Sequence, residues 1–178
     1  MTKFAKIAAV AAVALAWTPA LAAPVGVTGG SGPPAASARI VKPLTLTSAG
    51  ALNFGTIVIP AGGVTADRLI RLSATTGAIA PADCGGGSAE VVCSGTTSIP
   101  TYNVRGTNNA TVQILKINST LNGNNGGTLQ LTPTGQATIQ LTSSGAPGDD
   151  FTIGGDITIT SATIDGLYTG FVNVQVDY

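Results

Sequence analysis

Histidine is absent from all 178 residues of this chain. Without an imidazole, neither a Ser-His-Asp nor a Cys-His arrangement can be built, and the usual general base near neutral pH is missing. Histidine-based zinc hydrolysis is excluded on the same ground. Charge is scarce as well, at 9% Asp, Glu, Lys and Arg, and aromatic residues make up 4%. Gly, Ser, Thr and Asn fill much of the remainder, so the polar surface is mostly hydroxyl and amide. So little charge leaves weak electrostatic repulsion to oppose self-association through exposed strand edges. The composition points to a protein with no catalytic residues, no cofactor and no metal.

The one strongly apolar run lies at the start. Lys3 and Lys6 precede Ile7 to Trp17, and Thr18-Pro19-Ala20-Leu21-Ala22-Ala23 follows. Basic, apolar, then small residues is the layout of a cleavable export signal, which places the cut between Ala22 and Ala23. A membrane anchor would need roughly 20 apolar residues, and Pro19 ends this run well short of that. No later segment is long and apolar enough to span a bilayer as a helix. The chain therefore divides into a signal peptide at 1–22, a flexible arm at 23–38 rich in Gly, Pro, Ala and Ser, and one domain at 39–178. The expected destination is the periplasm, the cell surface or the medium.

Loss of the leader removes Lys3, Lys6 and the only Trp, leaving six basic residues against eight acidic ones and a net charge of −2. The remaining cations (Arg39, Lys42, Arg68, Arg71, Arg105 and Lys116) are dispersed, so nucleic acid is an unsuitable partner. Cys84 and Cys93 are the only cysteines. In an exported chain they are expected to form a structural disulfide, since a metal site needs more ligands and a reactive dithiol prefers closer spacing.

Beyond the arm the apolar period is two, which predicts strands. Candidates are Ile40–Leu46, Leu52–Ile59, Arg68–Ala74, Ile99–Val104, Val112–Ile117, Thr128–Thr132 and Ala137–Thr142. Gly154-Gly155 predicts a tight hairpin joining Phe151–Ile153 to Asp156–Thr160, with Phe151, Ile153, Ile157 and Ile159 on one face. Asn122-Gly123 and Asn125-Gly126 are turn signals of the same type. At the end of the chain Tyr168, Gly170, Val172, Val174, Val176 and Tyr178 share one parity and predict a single closing strand. No window shows a helical stripe, so the fold class is all-β.

Two chemistries remain open to the carboxylates. A glycosidase-type pair is available in principle among Asp67, Asp83, Glu90, Asp149, Asp150, Asp156, Asp165 and Asp177, most of which sit beside Gly or in expected turns. Asp149, Asp150 and Asp156 could converge on a calcium ion, although no full loop signature accompanies them. An extracellular ligand- or glycan-binding module is the alternative to a structural protein. Only Phe54, Tyr102, Phe151, Tyr168, Phe171 and Tyr178 remain to stack sugars after the leader is lost.

Leu52-Asn53-Phe54-Gly55 followed by Ile57-Val58-Ile59-Pro60, then Gly154-Gly155, then Tyr168-Thr169-Gly170-Phe171 through Val176-Asp177-Tyr178 resembles a family of secreted Gram-negative proteins catalogued as a domain of unknown function. The likeness spans 40–178 and implies an immunoglobulin-like antiparallel β-sandwich living outside the cytoplasm. More distantly, Gly166 and Tyr178 stand at the separation found in the final strand of chaperone-usher pilins. That likeness implies an assembly strand running through Gly166, Tyr168, Gly170, Val172, Val174, Val176 and Tyr178, with self-association or a periplasmic chaperone and usher as partners. Two features depart from pilins: Tyr178 is the last residue, and the arm lacks a clear donor strand because Pro24–Ser37 is too rich in Gly and Pro and Lys42 interrupts Ile40–Leu46. The expectation is a non-enzymatic surface protein, a fimbria-like subunit assembling through strand edges.

Overall fold

The computed structural model describes residues 34–85 and 90–178, and every strand lies within the compact unit Ile40–Tyr178. The expected signal peptide, the Ala22–Ala23 cleavage site and most of the arm lie outside the described residues. Among the described residues there are strands and no helix. In chain order they are β1 (Thr45–Ala49), β2 (Thr56–Val58), β3 (Arg68–Leu72), β4 (Val92–Ser94), β5 (Thr101–Arg105), β6 (Thr111–Ile117) and β7 (Ser119–Gly123). They continue as β8 (Thr128–Thr134), β9 (Thr138–Gln140), β10 (Asp149–Thr152), β11 (Gly154–Ile159), β12 (Tyr168–Thr169) and β13 (Asn173–Asp177). All pairings are antiparallel.

The result is a β-sandwich built from four antiparallel sheets. One layer holds β1-β5-β10 and, continuing from β1 and β5, the short pair β2-β4. The other holds β13-β6-β9 and, continuing from them, β12-β7-β8-β11-β3. Each half encloses its own core. Tyr102, Val104, Val112, Ile114, Leu141, Phe151 and Ile153 fill one, with Tyr102 and Phe151 stacked at 5.3 Å. Ile70, Val91, Leu129, Leu131, Ile157 and Ile159 are central to the other. Alternation explains the choice of face: Val112 and Ile114 point inward from β6 while Leu115 and Ile117 remain 45% and 42% exposed.

Several expected elements are placed differently. Gly154-Gly155 does not make a hairpin: β10 pairs with β5 in one layer, whereas β11 pairs with β3 and β8 in the other. The chain crosses between layers there, so Phe151 and Ile153 enter one core and Ile157 and Ile159 the other. Glycine is needed at 154 for close approach, because a Cβ would lie 2.5 Å from the backbone nitrogen of Ala74 and collide with the Leu72 carbonyl oxygen. The closing strand is likewise divided into β12, which pairs with β7, and β13, which pairs with β6. Val172 bridges the two and touches both cores. The first strand begins at Thr45, beyond Pro43, rather than at Ile40. Asn122 and Gly123 belong to β7, and the turn follows at Asn124 and Asn125, closed by the Gly126 N–H donating to the Gly123 carbonyl oxygen at 3.1 Å.

Along the first core the seam between the layers is closed. Leu44, Leu46, Val174, Val176 and Tyr178 pack against it. The Tyr178 hydroxyl donates to the Lys42 carbonyl oxygen and accepts the Thr107 N–H at 2.7 Å. Tyr178→Phe keeps the ring but leaves both partners short of a bond, with an expected cost of about 1–3 kcal/mol. Urea denaturation of the variant checks this, and an unchanged midpoint would rule the clamp out.

Candidate functional site

Along the second core the same seam is open. The edge strand of one layer is β2, and among the described residues its one neighbour is β4; the edge of the other layer is β12, whose one neighbour is β7. Between them runs an apolar cleft of about 520 Å³. Leu52, Phe54, Ile57 and Ile59 line one wall, Tyr168 and Val172 the other, and Leu129, Leu131 and Ile157 the floor. Ile164, Leu167 and Phe171 also line it, yet they are 43%, 67% and 82% exposed. Asp165 is the one charged residue of the lining.

Local chemistry sets each wall. In the Leu52-Asn53-Phe54-Gly55 stretch, alternation sends Leu52 and Phe54 toward the core. Asn53 lies between them, forms a bridge with Ser98 and accepts the Gly55 N–H through its side chain at 2.9 Å. Gly55 takes φ +73°, a conformation a Cβ disfavours. On the far wall, Asn124 Oδ1 accepts the Leu167 N–H at 2.8 Å and the Tyr168 hydroxyl donates to the Ile164 carbonyl at 2.7 Å. The Ser119 hydroxyl donates to the Phe171 carbonyl at 2.6 Å. The far wall is thereby held to the β7 side, away from β2.

The residues singled out from the sequence are brought together only in part. Cys84 and Cys93 are joined as a disulfide, and both pack beside the cleft's core. Gly166, Tyr168, Gly170 and Val172 line the cleft, whereas Val174, Val176 and Tyr178 belong to the closed half of the seam. Asp149 and Asp150 are strand residues of β10 rather than turn residues. Asp149 accepts from the Thr142 backbone N–H and hydroxyl, Asp150 accepts from the Asn103 side chain, and Asp156 lies in the opposite layer. Among the described residues no three His, Cys, Asp or Glu side chains group as a metal site. Of the six aromatic rings among the described residues, five pack inside or along the cores and Phe171 stands exposed.

The cleft itself was not legible beforehand, since it depends on two edges far apart in sequence. β4 and β7 were also missed. Val92–Ser94 is too short to show a period, and Ser119–Gly123 follows β6 after a single residue and carries turn-type residues.

The most developed charge cluster is Arg71, Asp83 and Asp156. Arg71 donates to both carboxylate oxygens of buried Asp83, at 2.7 and 3.0 Å, and lies opposite Asp156 in the β3–β11 register. The hydrogen-bonded guanidinium holds Asp83 below the ordinary carboxylate range, while burial pushes Asp156 above it. The Asp83 contribution to stability is complete above the unfolded-state carboxylate range and is lost as pH falls through its lowered value. The Asp156 penalty has the opposite sign, present at neutral pH and relieved as pH falls through its raised value. Asp83→Asn should therefore lower stability at pH 7 by about 1–3 kcal/mol, and Asp156→Asn should raise it. In thermal melts the Asp156 difference should shrink first as pH falls, through that group's raised range, and the Asp83 difference only at lower pH, below the ordinary carboxylate range. A destabilised Asp156→Asn at pH 7 would contradict this account.

No curated protein and no solved structure matches the chain. A family model described as Domain of unknown function (DUF4402) matches residues 44–178, from just before β1 through Tyr178. That span covers both cores, both walls of the cleft and the disulfide, and the chain belongs to the DUF4402 family.

Proposed function

We propose that the protein is a non-enzymatic structural subunit, exported to the periplasm or cell surface, that assembles by strand addition between copies. The observation that carries this reading is the cleft between β2 and β12, an apolar slot bounded by two strand edges that each have one neighbour among the described residues. An extended segment laid between two such edges gains ladder hydrogen bonds on both sides and buries alternate side chains in the floor. The β2 wall from Leu52 to Ile59 runs about 26 Å if extended, long enough for about four inward side chains.

The segment that a second copy would offer precedes β1. Ile40 and Val41 lie outside any strand and are 90% and 44% exposed. Ala36, Ala38 and Ile40 share a parity, and the neighbouring Arg39 suits a cleft whose one lining charge is Asp165. The alternative, a module that stacks glycans, draws on one exposed ring among the described residues, Phe171.

Light scattering across a concentration series tests the reading. Oligomers that grow with concentration and dissociate on Ile40→Asp are expected. A chain that stays monomeric at high concentration would refute it.

A further inference from the structure

We propose that the Cys84–Cys93 bridge is a redox latch on the cleft, so that the β2 wall keeps its receiving shape only while the bridge is closed; the latch rests on the strand-addition reading above. β2 and β4 form a two-stranded sheet of their own, each the other's one hydrogen-bonded strand among the described residues, and ahead of β2 the wall is pinned by the isolated Asn53–Ser98 bridge. Each of these strands is three residues long, and so short a pair holds its place poorly by its own ladder. The register sets Ile57 of the wall directly opposite Cys93 of β4. From Cys93 the bridge leads to Cys84, the residue after Asp83, which Arg71 of β3 clamps in the opposite layer. The bridge therefore ties the short ribbon to the sheet whose strands make the floor of the cleft.

Both cysteines pack against that floor together with Phe54 and Ile57, so opening the bridge loosens the wall where the incoming strand would lie. Closing it is a thiol–disulfide exchange. The two thiols pass two electrons and two protons to a disulfide-bearing oxidant, which leaves as two thiols, and a dithiol reductant runs the exchange in reverse. A reducing cytoplasm keeps the wall slack and an oxidising compartment sets it. The chain then becomes competent to assemble only after export.

Hydrogen exchange and light scattering on the full chain, with and without dithiothreitol and on a C84S/C93S variant, test the latch. Opening the bridge should speed exchange at Thr56–Val58 by at least about tenfold through local opening of the short ribbon, and weaken self-association at least about tenfold. The amides of β8 should change by less than about threefold, as expected of local rather than global opening. Equal loss of protection in β2 and β8 would overturn the latch, because the bridge would then merely stabilise the whole domain. Release of β2 with self-association unchanged would overturn it too. A monomer in the oxidised state, with β2 still released on reduction, would instead remove the strand-addition reading, and the latch's role with it.

Discussion

Gly154→Ala is expected to be among the most damaging single substitutions in this chain, lowering stability by about 3 kcal/mol, at the upper end for overpacking. The new methyl group would collide with the Leu72 carbonyl oxygen and lie 2.5 Å from the Ala74 nitrogen and 2.9 Å from the Ser73 carbonyl carbon. All three are backbone atoms of β3 and its exit, so no side-chain rotation relieves the contact. Relief requires moving β11 away from β3 at the point where the chain crosses between layers. Gly145→Ala is the matched control, because a Cβ there meets nothing within 4 Å. Urea denaturation of the two variants decides the matter. Equal midpoints would mean that the crossover tolerates a side chain and that the layers are less closely packed at this point than described.

Leu167→Asp combined with Phe171→Asp is expected to abolish self-association without weakening the fold. Both side chains line the cleft and are largely exposed in the monomer, at 67% and 82%, so a carboxylate there costs the isolated domain little. In an assembled pair the same side chains lie beside the incoming strand. Burying each is worth about 1.5–3 kcal/mol, so losing one weakens association by about 10- to 100-fold. Leu115→Asp is the control, since Leu115 is 45% exposed on β6, away from the cleft lining. Sedimentation velocity of the two proteins, with thermal melts to show equal folding, separates the outcomes. Equal loss of assembly in both would place the contact surface elsewhere.

Local pattern carried some elements well. Arg68–Leu72 and Thr111–Ile117 match the alternation of their sequence, because each presents one face to a core and the other to solvent. The disulfide followed from the presence of only two cysteines. The failures share a cause. Gly154-Gly155 reads as a turn because glycine most often supplies positive φ, but neither residue has it; position 154 is glycine because another backbone passes too close for a Cβ. Tyr168 to Tyr178 reads as one strand because its parity never breaks, yet the chain changes hydrogen-bonding partners near Gly170, where a Cβ would lie 2.8 Å from the Thr120 carbonyl oxygen.

Sequence by itself therefore determined the all-β class, the inward face of most strands, the pairing of Cys84 with Cys93 and the absence of histidine chemistry. These depend on composition and on a period of two, both local properties of the chain. Tertiary structure alone decided that one long seam would close at Tyr178 and stay open between β2 and β12. That outcome depends on whether two edges more than a hundred residues apart meet, as Tyr178 and Lys42 do across 136 residues. Apolar alternation looks the same on both halves of the seam, because it records that a face is buried and not whether the neighbouring edge has a partner.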